Sequence, residues 1–313
     1  MTKQAFFFID DTIWVIRDIA RQKPKSIFDN EFLKIMKTAH DNWDLTVQLN
    51  LFYRTDFFYG SDEFTLADMP DTYKDEFQAN ADWLKFAFHA KQEFPDYPYI
   101  NATYEDVKKD YEMVANEVKR FAGDNVLTDV VVPHWFPVSK AGCQALRDCG
   151  VRVVGVTRGK RTPFNGDATI LPYGHAARLL QNRQPEAMLY TRESPDKAIT
   201  SSLCSHNHLE EDLYVQCLCT ENSVHDEASG LDFTAISGGP CLNLYSKQDI
   251  ADKIDELKDK EFIGICVHEQ YFYKDYYAYQ PDFAEKVYIM AKKFKEHGFT
   301  CVTADKIKLN IIK

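Results

Sequence analysis

The sequence predicts an α/β fold in which about seven parallel strands, most followed by a helix, curl into a distorted barrel. Three observations predict it. Phe6-Phe7-Phe8-Ile9 is a continuous apolar run that stops at Asp10-Asp11, the pattern of a strand covered on both faces. Apolar runs of strand length then alternate with amphipathic helices along most of the chain, which implies parallel pairing through right-handed crossovers. Four of these runs end in polar residues of catalytic type, namely Asp10-Asp11, His89, His134 and His268. In a barrel the C-terminal ends of the strands share one rim, so those residues would face a common site.

Spacing and punctuation set the elements in order. Asp is a poor strand residue, so the first strand ends at Asp10-Asp11. Neighbouring side chains of a regular strand point to opposite faces, and both carboxylates reach one site only where that strand frays. Taken alone, the pair is equally explained by a helix N-cap followed by a solvated acid. Residues 26–43 read as a helix, with Phe32, Ile35, Met36 and Ala39 at helical spacing. Residues 47–53 alternate as a second strand, followed by the aromatic loop Phe57-Phe58-Tyr59-Gly60 and a short helix near 70–83. Phe86-Ala87-Phe88 is a brief third strand ending at His89.

Thr103-Tyr104-Glu105-Asp106 opens the clearest helix, with a capping oxygen and an acid three residues on. Val107, Tyr111, Val114, Val118 and Phe121 continue it, and Gly123 ends it. Strands at 130–132 and 151–157 flank a helix at 139–149. Residues 159–246 are rich in Gly, Pro, Asn and His, with strand-like pieces at 187–192 and 212–220. They read as a partly β insertion in one domain spanning 1–313. Regularity returns with helices at 248–257 and 281–297 and strands at 261–267 and 300–303.

Bulk composition narrows the function. The chain has 313 residues, 45% hydrophobic and 27% charged, as an ordinary globular protein does. Its net charge of −11 argues against nucleic acid and anionic membrane surfaces as partners. No apolar run approaches the roughly 20 residues that span a bilayer. The start lacks a signal peptide's apolar region, and the eight cysteines are irregularly spaced, so reduced thiols and a cytoplasmic location are expected. Cys217 and Cys219 are too close for a zinc pair of the C-x-x-C type.

His89 and Glu93 are four apart, which on a helical turn places both on one face, close enough to share a metal ion. With an aspartate from another strand they would form a mixed His/carboxylate site with room for water, as catalytic zinc sites do. A single buried histidine is most often a hydrogen-bonded core residue, and H-x-x-x-E alone is a weak pattern.

The stretches FIDD, FHAKQE, VVPHWFPVSKAGCQALRDCGVRVVGV and CVHE together resemble the polysaccharide deacetylases, the nodulation-protein-B homology domain of carbohydrate esterase family 4. The resemblance covers roughly 5–157 and 248–305. It implies a TIM-like barrel and a metal-dependent hydrolase that removes N- or O-acetyl groups from a sugar or oligosaccharide. It implies a divalent metal, most simply zinc, on Asp11, His89 and Glu93, with Asp10 as general base and His268 as general acid. Trp135 would wall the sugar site, and His134 is an extra polar group able to reach metal or substrate. The chain departs from the family's pattern in three places. Glu93 stands for the second metal histidine, Thr12 for a glycine, and Val131 or Val132 for the arginine that orients the base. Arg54 and Arg158 are the candidates to replace that arginine.

Two other readings compete. One is a non-catalytic relative that binds metal or sugar without turnover. The other is a barrel glycosidase using two acids such as Asp10 and Glu269, which requires carboxylates roughly 5–9.5 Å apart. The aromatic stretch 271–279, with Tyr271, Tyr273, Tyr276, Tyr277 and Tyr279, fits a sugar site and the interface of a homo-oligomer alike. His206 and His208 read as surface loop residues or a second metal site.

Overall fold

The computed structural model describes residues 3–55, 63–94, 98–99, 102–136, 138–155, 223–227, 229–234, 236, 238–276, 278–308 and 311–312. In chain order its strands and α-helices are β1 (Gln4–Thr12), α1 (Trp14–Gln22), α2 (Glu31–Trp43), β2 (Val47–Phe52), α3 (Lys74–Ala79), β3 (Leu84–Ala90), α4 (Tyr104–Phe121), β4 (Val130–Val131), α5 (Lys140–Asp148), β5 (Val153–Gly155), β6 (Ser223–Asp226), β7 (Leu231–Thr234), α6 (Lys247–Glu256), β8 (Phe262–His268), α7 (Phe283–Glu296), β9 (Thr300–Cys301) and β10 (Ile311–Ile312). The chain divides into two compact units: Met1–Phe88, Val114–Asp129 and Ile236–Lys308, and His89–Met113, Val130–Ala235 and Leu309–Lys313.

The first unit is organised on β1. Its sheet runs β3-β2-β1-β8, and β9 also pairs with β1. The β1 ladders to β2, β8 and β9 are all parallel. Every residue of β1 and β2 is buried, as the run Phe6–Ile9 requires of a central strand. Each fully buried phenylalanine stabilises the unit by about 1.5–3 kcal/mol relative to leaving it exposed. Phe8 is the ladder partner of both Gln48 and Cys266, and Asp10 is the partner of His268. Partners in neighbouring strands project to one face, so Asp10 and His268 lie side by side on the sheet, as do Gln48, Phe8 and Cys266. Phe32 and Met36 of α2 and Val287, Met290 and Phe294 of α7 complete the apolar core.

Most predicted elements are present, with instructive boundary changes. The helix expected from residue 26 begins at Glu31, because two caps compete. Ser26 and Asp29 close a capping box around a single 3-10 turn, and Asn30 Oδ1 then accepts the N–H groups of Phe32 and Leu33. The helix at 104–121 forms as expected, with Thr103 Oγ1 accepting the Asp106 N–H at 3.1 Å. It ends before Gly123, whose φ of +98° most residues avoid.

The second unit's sheet runs β10-β6-β7-β5-β4. The pairs β4–β5, β5–β7 and β6–β10 are parallel, but β6–β7 is an antiparallel hairpin turned at Gly230, with φ +69°. The chain is thus a mixed α/β protein with a parallel sheet. The expectation of uniformly parallel strands fails at the hairpin, and the described strands form two sheets. Closure into a seven-stranded ring is not recorded among the described residues. The readings at 57–60, 187–192, 212–220, Arg158, His206, His208 and Tyr277 lie outside the described residues. No helix among the described residues is long and apolar enough to cross a membrane.

Candidate functional site

In the first unit the acid pair escapes strand alternation through a bulge rather than by fraying. The β1–β2 register shifts between Ile9 and Thr12, and Asp11 adopts φ +60°. Aspartate tolerates this left-handed region better than most residues, at a cost of about 1–3 kcal/mol. Both aspartates are buried. Asn50 Nδ2 donates to Asp10 Oδ1 at 2.6 Å, and Gln48 Nε2 donates to Asn50 Oδ1 at 2.7 Å. Gln270 Nε2 donates to Asp11 Oδ2 at 3.0 Å.

His268 ends β8 beside Asn243. Asn243 Oδ1 accepts the His268 backbone N–H at 3.2 Å and lies 3.0 Å from the ring Nδ1. An atom that accepts a backbone N–H must be the amide oxygen, so Nδ1 carries a hydrogen and proton exchange falls to Nε2. Burial opposes the charged imidazole, but the Cys241 thiolate, Asp11 and Asp10 together hold its pKa well above the ordinary 6.5. A protonated histidine beside two acids is equipped to donate a proton.

Glu269, the next residue, is fully buried and has a different task. Its Oε2 accepts the N–H groups of Ile13 and Trp14, each at 2.8 Å, and its Oε1 accepts that of Val15 at 2.7 Å. Helix α1 has no side-chain cap of its own at Ile13, so Glu269 satisfies its opening amides from 254–256 positions away in sequence. In the first unit this carboxyl group therefore caps the start of α1. The tyrosines after it are reassigned. Tyr271, Tyr273 and Tyr276 are buried, and the latter two meet Trp14 edge-on at 4.9 and 6.3 Å. They are core residues of the first unit, where a sugar site or a subunit interface was expected.

In the second unit His89 and His134 face one another. His89 Nδ1 lies 2.5 Å from the Val132 carbonyl, and His134 Nε2 lies 2.9 Å from the Glu93 carbonyl. A carbonyl only accepts, so each of these nitrogens carries its ring's hydrogen. The remaining nitrogens, His89 Nε2 and His134 Nδ1, are 3.1 Å apart. With both rings neutral, two lone pairs would point at each other in a buried site, and a shared proton or cation relieves that. Two nitrogens bound to one tetrahedral zinc at roughly 2.0–2.1 Å are themselves about 3.3 Å apart. Histidines that ligate metals characteristically give their other N–H to a carbonyl in this way. The donor set therefore fits a divalent metal.

No family profile matches the sequence, and no curated protein matches it either. Among solved structures, the fold is similar to a crystal structure of 4-alpha-glucanotransferase from Thermococcus litoralis, with TM-score 0.52 and 11% identity over 99% of this chain. This chain spans only 41% of that structure's length. A second similar structure is the Xyl-CE4 domain of a multidomain xylanase from the hindgut metagenome of Trinervitermes trinervoides, with TM-score 0.44 and 10% identity over 100% of this chain and 98% of that one. At 11% identity the likeness to the glucanotransferase structure is one of fold.

Of the residues singled out from sequence, Asp10, Asp11 and His268 belong to the first unit and His89, Glu93, His134 and Trp135 to the second. The expected helical turn at His89–Glu93 is absent. β3 runs on to Ala90 and residues 91–93 bend, so the spacing loses its meaning and it is the Glu93 carbonyl that reaches His134. Trp135 follows at φ +59°, its ring 5.6 Å from that of His134. Arg54 forms a backbone bridge with Thr65, and Asn50 donates to Asp10. Sequence reasoning missed Gln48, Asn50, Asn243 and Gln270. The signal for the first two was two amides at alternate positions of a strand that should be covered on both faces.

Proposed function

We propose that the chain is a metal-dependent hydrolase that removes N- or O-acetyl groups from a sugar or oligosaccharide, on a deacetylase-like barrel. The observation that carries this reading is the His89–His134 pair, whose outer hydrogens rest on carbonyls and whose inner nitrogens meet. The proposed ligands are His89 and His134 of the second unit together with Asp11, the carboxylate that the sequence resemblance assigns to the metal, with zinc as the simplest metal for two imidazoles and a carboxylate. His134 thus takes the place that the sequence offered to Glu93. When bound, a divalent cation supplies polarisation of the acyl carbonyl and lowers the pKa of water toward about 7.

The chain's own groups supply the rest. Asp10, oriented by Asn50, accepts a proton from the attacking water. His268 gives the proton on Nε2 to the departing amine or alkoxide, and Asn243 holds the ring in that tautomer. Trp135 contributes an apolar wall for the sugar face.

The test is metal analysis of the purified protein after equilibration with zinc, joined to acetate release from N-acetylated and O-acetylated oligosaccharides. One equivalent of metal in the wild type, lost in His134→Ala and Asp11→Ala, together with acetate release is expected. A protein that takes up no divalent metal overturns the reading. Tight metal without release from any acetylated sugar favours the non-catalytic relative, which Val131 and Val132 in place of the orienting arginine motivate.

A further inference from the structure

Beside His268 the first unit carries two cysteines that the proposed hydrolysis does not use. The stretch after Ile236 runs along β8, held by the N–H groups of Gly238 and Gly239, which both donate to the Gly264 carbonyl, at 3.1 and 2.8 Å. The approach is close enough that a Cβ on Gly239 would lie 2.6 Å from Ile265 Cγ1. Two residues on, Cys241 becomes the bridge partner of Cys266. Neighbouring strands lie roughly 4.7–4.9 Å apart, within the roughly 4.4–6.8 Å between Cα atoms that a disulfide spans. The Cys241 thiol donates to Asn243 Oδ1 at 3.0 Å, and its Sγ lies 3.7 Å from His268 Nδ1. Both thiols are free and half-buried, so a small oxidant can reach them.

We propose that Cys241 and Cys266 are a peroxide-reactive thiol pair that closes reversibly to a disulfide beside His268. The two sulfurs have different starting states. The Cys266 thiol donates a hydrogen bond to Cys241, which with the His268 charge overcomes burial and holds the Cys241 pKa well below the ordinary thiol value. The same bond, burial and the neighbouring Asp10 and Asp11 push Cys266 well up. Cys241 is therefore the thiol that ionises first, giving up the proton it shares with Asn243 Oδ1, and Cys266 is the resolving thiol.

In the first step Cys241 Sγ attacks one oxygen of hydrogen peroxide. An S–O bond forms, the O–O bond breaks, and the departing hydroxide takes a proton from the solvent to become water. In the second step Cys266 Sγ attacks Cys241 Sγ. The S–S bond forms, the S–O bond breaks, and the hydroxide leaves as water with the Cys266 proton. Two thiols lose two electrons and peroxide is reduced to two waters. Where His268 is the acid of the proposed hydrolysis, on which this last consequence rests, the disulfide removes its anionic thiolate neighbour and lowers acetate release.

The experiment treats the full-length protein with a small excess of hydrogen peroxide, alkylates the remaining thiols, and maps peptides by mass spectrometry. A Cys241–Cys266 cross-link, lost on dithiothreitol treatment, is expected. Before oxidation, iodoacetamide at neutral pH should label Cys241 at least about 10-fold faster than Cys149, whose thiol burial pushes up. In Cys266→Ser a dimedone-trapped sulfenic acid should accumulate on Cys241 instead. Equal labelling of Cys241 and Cys149, or a cross-link from Cys241 to any other cysteine, overturns the proposal. The cross-link is read without any substrate, so loss of the deacetylase reading leaves this result interpretable.

Discussion

The two units hold their candidate residues in opposite ways. In the first unit side chains hold side chains: Gln48 donates to Asn50, Asn50 to Asp10 and Gln270 to Asp11, beside long paired strands. In the second unit main-chain carbonyls hold side chains, Val132 on His89 and Glu93 on His134, next to a two-residue strand and two left-handed residues, Trp135 and Phe136. In the first unit the amides only orient, and the groups that can exchange protons are Asp10 and His268 themselves. A carbonyl cannot change protonation, so it fixes its partner's tautomer outright. The first arrangement suits proton transfer, and the second suits a cation that stays in place.

The strongest way to break this contrast is Asp10→Asn. If the first unit's residues move protons, acetate release should fall about 10³-fold while metal content stays at the wild-type level. Full activity in the variant would remove Asp10 as the base. Next in size is Glu269→Ala, which strands the amides of Ile13, Trp14 and Val15 directly after the acid pair. Chemical denaturation should show a loss of about 3 kcal/mol.

Glu269 also makes a prediction with a sign. Burial pushes its carboxyl from 4.5 up to about 7 in spite of the three amide donors. Because the folded value lies above the unfolded one, the carboxyl's contribution is complete below about pH 4.5. It shrinks as pH rises toward about 7, by roughly 3 kcal/mol in all. Glu269→Gln does not titrate, so the Tm gap between wild type and this variant should narrow between about pH 5 and pH 8. A gap that widened would mean that the amide donors hold the carboxylate ionised.

How far the sequence could be read follows the same division. β1, α4, α5, β8 and α7 were legible because long apolar runs and caps are local signals, as at Thr103, Ser139 and Gly298. Asp10, Asp11, His89, His134 and His268 were legible as polar residues closing such runs. The bulge at Asp11 was not, because register depends on the neighbouring strand. The capping role of Glu269 was not legible because its partners, Ile13, Trp14 and Val15, lie at the other end of the chain. The tyrosines of 271–276 were misread because Lys274 and Asp275 between them are exposed while the rings turn inward. The hairpin of β6 and β7 follows a long stretch without clear periodicity, so its antiparallel pairing had no local cue.

Asn50 tests how much the first unit's residues depend on orientation. Asn50→Leu keeps the bulk but removes the donor to Asp10, and partners of this kind typically contribute 10–100-fold. A fall of about 10-fold in kcat with little change in KM is expected, since Asn50 acts through Asp10. A change confined to KM would place Asn50 at the substrate instead.

The smallest expected effect discriminates best between the units. Glu93→Ala deletes a carboxylate but keeps the carbonyl that His134 uses. That carbonyl's bend is anchored by the Lys91 N–H donating to Tyr99 Oη at 3.1 Å and by Tyr99 donating to Asp110 at 3.3 Å. Metal affinity measured by calorimetry should therefore change less than about threefold, against 100-fold or more for His134→Ala. If the two variants lose metal equally, the Glu93 carboxylate is itself a ligand, as the H-x-x-x-E spacing first suggested. The second unit's residues would then be held by side chains like the first's, and the contrast between them would fall.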